Sequence, residues 1–191
     1  MLNNLADKER LDFLYKFFHV LVSACVLNSG TIYEANSWTS VTAMLPPGKN
    51  VANPLTFLPA GGWSVLRTLG VSGCHKLLFE FPRPVEKLKK LNMGDERYFY
   101  VFIVATLEDG RGKGLASKVV SQILHLAQQE GKNVWLEATT EQSRAVYQKL
   151  GFRVVGDIIL GQGRAASDGS YQEGGPGVTI WPMVWKPTIS S

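Results

Sequence analysis

Apolar residues recur at three- and four-residue intervals between Lys8 and Val26, at Leu11, Leu14, Phe17, Phe18, Leu21 and Val22, which predicts one amphipathic helix. Asn28-Ser29-Gly30 ends it. Two short β-type runs follow, Thr31 to Glu34 and Trp38 to Leu45, joined through Ala35-Asn36-Ser37 and closed by Pro46-Pro47-Gly48; they predict a hairpin. From Asn53 to Leu91 the pattern breaks into helical fragments at Gly61-Gly62, Gly70, Gly73, Pro82 and Pro84. Arg97 to Thr106, dense in Tyr, Phe, Val and Ile, reads as a strand buried on both faces. A long helix over Gly112 to Glu130 carries Leu115, Val119, Ile123 and Ala127 on one face and stops at Gly131. Then come a strand (Asn133 to Thr139), a helix (Ser143 to Leu150, stopped at Gly151) and an antiparallel pair, Phe152 to Leu160 with Val178 to Lys186. The connection Gly161 to Gly177 holds six glycines in seventeen residues, and a loop of that length is usually functional or mobile.

Composition narrows this picture little. With 191 residues, 45% hydrophobic and 19% charged, the chain reads as one α/β domain with a sizeable core. The longest apolar run, Phe17 to Leu27, is interrupted by His19 and Ser23 and falls short of a membrane span. The N-terminus is a poor signal peptide, so a soluble, cytoplasmic or nuclear protein is expected. Cys25 and Cys74 lie in apolar segments and read as buried free thiols; His19, His75 and His125 lack metal-ligand spacing. A net charge of +4 is mild, and only Lys87-Leu88-Lys89-Lys90 clusters, which suits a small anionic ligand as well as it suits nucleic acid.

The chemistry concentrates where the Arg97 strand meets the Gly112 helix, through Leu107-Glu108-Asp109-Gly110-Arg111-Gly112-Lys113-Gly114-Leu115-Ala116. Glycines before and within a first helical turn let successive N–H groups converge on one concavity, to which the helix N-terminus adds its positive end. A Walker A loop is excluded, because it needs glycine at Leu107 and Ser or Thr at Gly114. A dinucleotide fingerprint begun at Gly112 fails at Ser117, and one begun at Gly110 fails at Leu115.

The pattern that fills without a gap is Arg/Gln-x-x-Gly-x-Gly/Ala, at Arg111, Gly114 and Ala116, and it resembles the acetyl-CoA signature of the GNAT superfamily of N-acetyltransferases. Downstream, Val134 to Thr139 and Ser143-Arg144-Ala145-Val146-Tyr147-Gln148-Lys149-Leu150-Gly151-Phe152 resemble the next strand and helix end of that family. The similarity is to fungal and bacterial small-molecule members of the puromycin acetyltransferase type and reaches the closing Trp181-Pro182-Met183-Val184-Trp185. Departures fall at Glu108, often Pro; Gly110, often aromatic; and Thr140, often Asn.

The resemblance implies a GNAT fold: a twisted, mostly antiparallel central sheet flanked by helices, with two splayed parallel strands at its centre. It divides the chain into an acceptor-side half, 1–94, and an acetyl-CoA-binding half, 95–191. It implies acetyl-CoA as co-substrate, held by Val104, Ala105, Thr106, Arg111, Gly112, Lys113, Gly114, Leu115, Ala116, Thr140 and Ser143. It also implies Tyr147 as the acid that protonates the departing thiolate. The candidate bases are Glu137 and, on the preceding strand, Tyr98 or Tyr100, because an amine attacks only once deprotonated. Members usually open with a strand and helix ahead of the segment matching the Lys8 helix; the chain reads as a shortened form whose open sheet edge invites another chain, as in a homodimer. The expected function is N-acetylation of a small primary amine, with neither nucleic acid nor membrane as partner; the alternatives are a non-catalytic acetyl-CoA-binding protein and a protein- or histone-directed acetyltransferase.

Overall fold

A computed structural model describes residues 7–51, 53–75 and 82–188. The predicted first helix is α1, Asp7–Leu27. It buries Phe13, Val20 and Ala24 against Phe57, Ala60 and Val65 of the helical segment that follows the first hairpin. Asn28 ties the two together, since its amide donates to Ala24 O at 2.8 Å and to Thr56 Oγ1 at 2.6 Å. Among the described residues α1 comes first, and β1 (Thr31–Ala35) pairs only with β2 (Ser40–Leu45) on one side. The expectation of a shortened opening ahead of this helix falls outside the described residues, as does the side chain of Cys74. Cys25 is buried, and burial pushes its thiol up to about 11.

The hairpin differs from its prediction at the turn. Asn36, Ser37 and Trp38 all take positive φ, held by Glu34 Oε2 accepting from the Trp38 N–H at 2.8 Å, so β2 starts at Ser40 rather than Trp38. The fragmented stretch becomes α2 (Pro54–Phe57), a wide π-turn (Leu58–Gly62), α3 (Trp63–His75) and α4 (Pro82–Met93). Gly61 (φ 104°) and Gly70 (φ 68°) leave helical geometry there, as their positions in the sequence predict.

The central sheet runs β1-β2-β3-β4-β7-β5, with β6 also on β7; β3 is Phe99–Thr106, β4 Val134–Ala138, β5 Arg153–Val154, β6 Ile158–Leu160 and β7 Val178–Trp185. Every pairing is antiparallel except β3 with β4, as the fold expectation requires. Helix α5 (Leu115–Glu130) covers one face, where Val119, Val120 and Ile123 are fully buried on Phe99, Val101, Val134 and Leu136. Each such side chain contributes about 1.5–3 kcal/mol. Helix α4 covers the other face, with Val85 and Met93 against Trp135, Ile180 and Val184.

The expected strand Phe152–Leu160 is broken into β5 and β6 because α4 comes too close: a Cβ on Gly156 would lie 2.8 Å from Leu88. That break also explains Pro182 inside β7. Its carbonyl accepts from the Val155 N–H at 2.9 Å, so its missing N–H faces the interval between β5 and β6, where no ladder bond is lost. The connection 161–177 is an ordered, self-bonded hairpin, with the Ala165–Tyr171 bridge and bonds such as Gly177 N–H to Ala165 O at 2.7 Å. No described helix is long and apolar enough to cross a membrane.

Candidate active site

The turn between β3 and α5 is built to leave donors free. A short 3₁₀ turn, Glu108–Gly110, follows Leu107, and buried Gly110 packs so closely that a Cβ would come within 2.4 Å of Thr39 Cγ2. Gly112 and Gly114 then take φ of 75° and 73°, a conformation costly for any side chain. Gly114 is the N-cap of α5 and supplies no side-chain cap. Among the described residues the first helical bond is Lys118 N–H to Gly114 O, and the N–H groups from Gly112 through Ser117 find no backbone acceptor. A Cβ at Gly112 or Gly114 would meet nothing within 4 Å, so the concavity is open. Exposed Arg111 and Lys113 flank it. Unpaired N–H groups, a helix N-terminus and two cations together fit a diphosphate.

Beside this turn the sheet opens. β3 and β4 pair only at Phe99–Val134 and Tyr100–Trp135, although both strands continue. The register slips between Ala43 and Met44 of β2, leaving Phe102 as an extra residue on β3. As a result Phe102 and Ile103 both join the cluster under α1, whereas Phe99, Val101 and Val104 join the α5 face. Leu107 N–H bonds Thr39 O at 2.9 Å, which by antiparallel alternation aims the backbone of Ala105 and Ile103 at β2. Ser40 and Thr42 hydroxyls accordingly donate to the Ala105 and Ile103 carbonyls, at 3.2 and 2.9 Å. Val104 and Thr106, not Ala105, therefore turn backbone groups into the gap. Opposite them, the alternation that points the Asn133 carbonyl at Phe99 N–H (2.9 Å) points the backbone of Glu137 into the same gap.

Tyr147 and Glu137 flank the opening from opposite faces. Tyr147, on α6 (Glu141–Lys149), is buried with Val104, Leu115 and Ala138 on the α5 face, tilted on Phe152 with ring centroids 5.9 Å apart. Its hydroxyl has no hydrogen-bond partner among the described residues. No sealed side-chain polar atom lacks one there, so the hydroxyl meets open space. Burial pushes it up to about 12. Glu137 lies on the α4 face, accepting from Tyr100 Oη at 2.8 Å and Trp135 Nε1 at 2.6 Å. Burial raises its carboxyl above the ordinary range, opposed by the Lys89 ammonium at 4.0 Å and by those two donors. Tyr98, pushed to about 12, and Tyr100, well above its usual value, are both raised by burial first and then by neighbouring carboxylates. Hydroxyls held so high stay protonated and donate, so of these three side chains the Glu137 carboxylate is the one suited to accept a proton.

Thr140 and Ser143 are consumed in a reciprocal capping box on α6: Thr140 Oγ1 accepts from Ser143 N–H at 3.0 Å and Ser143 Oγ from Thr140 N–H at 3.1 Å. Leu115 and Ala116 belong to the first turn of α5, where their N–H groups, not their side chains, face the concavity. Two features escaped the sequence. Lys89, from the basic run Lys87-Leu88-Lys89-Lys90, turns inward to 8% exposure, a partner no local signal could reveal. Trp38, 65% exposed on the β1–β2 turn, stands at the same end as the gap because Ser40 pairs with Thr106.

Residues 94–158 match the family model described as FR47-like protein. An uncharacterized N-acetyltransferase of Schizosaccharomyces pombe is 24% identical over 147 residues, 76% of this chain and 59% of that protein, so the chain spans less than two thirds of its relative's length. The fold is similar to that of a solved histone acetyltransferase HPA2 and related acetyltransferase from Corynebacterium glutamicum (TM-score 0.57, 18% identity, 98% of this chain and 81% of that one). It is also similar to an agmatine N-acetyltransferase (TM-score 0.59, 12% identity, 95% of each). A third fold relative is a Drosophila melanogaster polyamine N-acetyltransferase that forms N-acetylagmatine (TM-score 0.56, 11% identity, 96% of this chain and 82% of that one). Fold, signature turn, FR47-like segment and the N-acetyltransferase relative agree, and together they support a GNAT-type N-acetyltransferase.

Proposed function

We propose that the chain transfers an acetyl group from acetyl-CoA to the primary amine of a small molecule. One observation carries this reading: the unpaired N–H groups of Gly112 to Ser117 and the opened β3–β4 ladder lie at the same end of β3. The first would hold the diphosphate of the coenzyme. Backbone groups of Val104, Thr106 and Glu137 would complete their missing ladder bonds on its amide-bearing arm, as a third strand would. The bound substrate supplies a thioester whose carbonyl carbon is open to attack. Glu137 takes a proton from the incoming ammonium, the freed amine bonds to the thioester carbon, and the carbon–sulfur bond breaks while the Tyr147 hydroxyl donates a hydrogen bond to the sulfur; the second nitrogen proton leaves on the sulfur as free thiol. A small acceptor is favoured because α4 lies over the face that carries Glu137, and the 161–177 hairpin rises where β7 begins, beyond the end of β4.

Calorimetry with acetyl-CoA, followed by thiol release with small amines and lysine peptides side by side, tests the reading. Saturable uptake with amine-dependent thiol release is expected. Uptake without release for any acceptor would leave a binding protein, faster release with peptides would replace the small acceptor by a protein, and no uptake by folded protein would end the proposal.

A further inference from the structure

Glu137 belongs to a larger polar network on the α4 face. Lys89 Nζ donates to Glu86 Oε1 at 2.9 Å, stands 4.0 Å from Glu137 Oε1 and sits 4.1 Å above the centre of the Tyr100 ring. Tyr100 in turn donates to the other Glu137 oxygen. The network lies at the last β3–β4 rung, Tyr100–Trp135, one step from the gap. Three elements contribute to it: Tyr100 from β3, with Tyr98 just ahead of that strand, Trp135 and Glu137 from β4, and Glu86 and Lys89 from α4. Among the described residues the Lys89 ammonium is the one cation within ion-pair distance of Glu137. A lysine drawn from water into this place needs its partners, because an ammonium stripped of hydration is costly unless paired. It finds two carboxylates and an aromatic face.

We propose that Lys89 is a positioning residue for the reaction: its ammonium, clamped by Glu86 and the Tyr100 ring, orients the Glu137 carboxylate and sets the pH at which that carboxylate works as a base. The proposal rests on Glu137 being the base. It also wires α4, which otherwise covers the sheet, into the chemistry. The sign is fixed by the geometry. Burial favours the neutral acid and the nearby cation favours the carboxylate, so removing the cation moves Glu137 protonation to higher pH. Glu86 acts the opposite way on Glu137, but it is 55% exposed at its side chain and screened accordingly.

The Trp135 indole N–H, bonded directly to Glu137, reports the titration by NMR without any turnover. In Lys89→Met its pH midpoint should rise by about one unit or more, a tenfold change in the ratio of ionised to neutral Glu137. Lys89→Gln, which keeps a donor and lacks the charge, should shift likewise and serves if the methionine variant does not fold; Lys89→Arg should stay near the parent. The acidic limb of kcat/KM should move with the NMR midpoint while acetyl-CoA affinity holds. An unmoved midpoint in the folded neutral variants, or an equal shift in Lys89→Arg, overturns the proposal. If the parent acetylates no amine, the functional reading fails on its own, and the NMR midpoints still decide whether Lys89 governs Glu137.

Discussion

Replacing Tyr147 with Phe separates chemistry from architecture, because the hydroxyl carries no structural bond. The ring is 7% exposed and packs on Phe152, contacts that Phe retains. With no hydrogen bond lost among the described residues and no sealed polar atom left behind, stability should change by no more than about 0.5 kcal/mol. Turnover is another matter. Burial pushes the hydroxyl up to about 12, whereas a thiol ionises near ~8.5, so outright proton transfer to the thiolate is uphill. On the proposed mechanism the hydroxyl is therefore expected to donate a charge-assisted hydrogen bond to the developing anion, worth about 1.5–3 kcal/mol. That corresponds to a fall in kcat of roughly 10- to 100-fold, below the full range for a general acid. Thiol release at saturating acetyl-CoA measures kcat, calorimetry the affinity, and thermal melting the stability. A kcat within about twofold of the parent, or a stability loss above ~1.5 kcal/mol, would refute the assignment.

Converting Gly112 and Gly114 to Ala forces side chains into left-handed backbone at about 1 kcal/mol or more each, and the turn should relax away from the concavity. Acetyl-CoA affinity should drop about tenfold or more by calorimetry, and unchanged affinity would mean that these N–H groups do not hold the diphosphate. Arg111→Ala and Lys113→Ala should each weaken the coenzyme several-fold at low salt, with the difference fading near ~1 M salt; a salt-independent loss would point to a packing effect instead. Ser143→Ala removes the reciprocal cap of α6 and should lower unfolding stability by about 1 kcal/mol in a denaturant titration. If the hydroxyl only caps the helix, coenzyme affinity stays where it was.

What the sequence by itself determined is what local chemistry settles. The helix on Leu115, Val119, Ile123 and Ala127, its glycine stop at Gly131 and the free donors around Arg111 to Ala116 all depend on residues within a turn or two of one another. Periodicity and glycine conformational freedom act at that range, so these features read directly from the residues. The kinks at Gly61 and Gly70 are of the same kind.

Only the tertiary structure decided which groups face the gap and which charges meet. Ala105 looks as available as Val104 in the sequence, but a one-residue bulge opposite Ala43 and Met44 hands its backbone to β2. Phe152 to Leu160 reads as one strand until Leu88 of α4 presses on Gly156. Tyr100 and Glu137 are separated by 37 residues, and Lys89 arrives from a third element, out of a basic cluster with no local sign of an inward partner. Side chains on different elements meet only through strand register and helix packing, whose alternation reverses with a single-residue slip, and no local pattern encodes that sum.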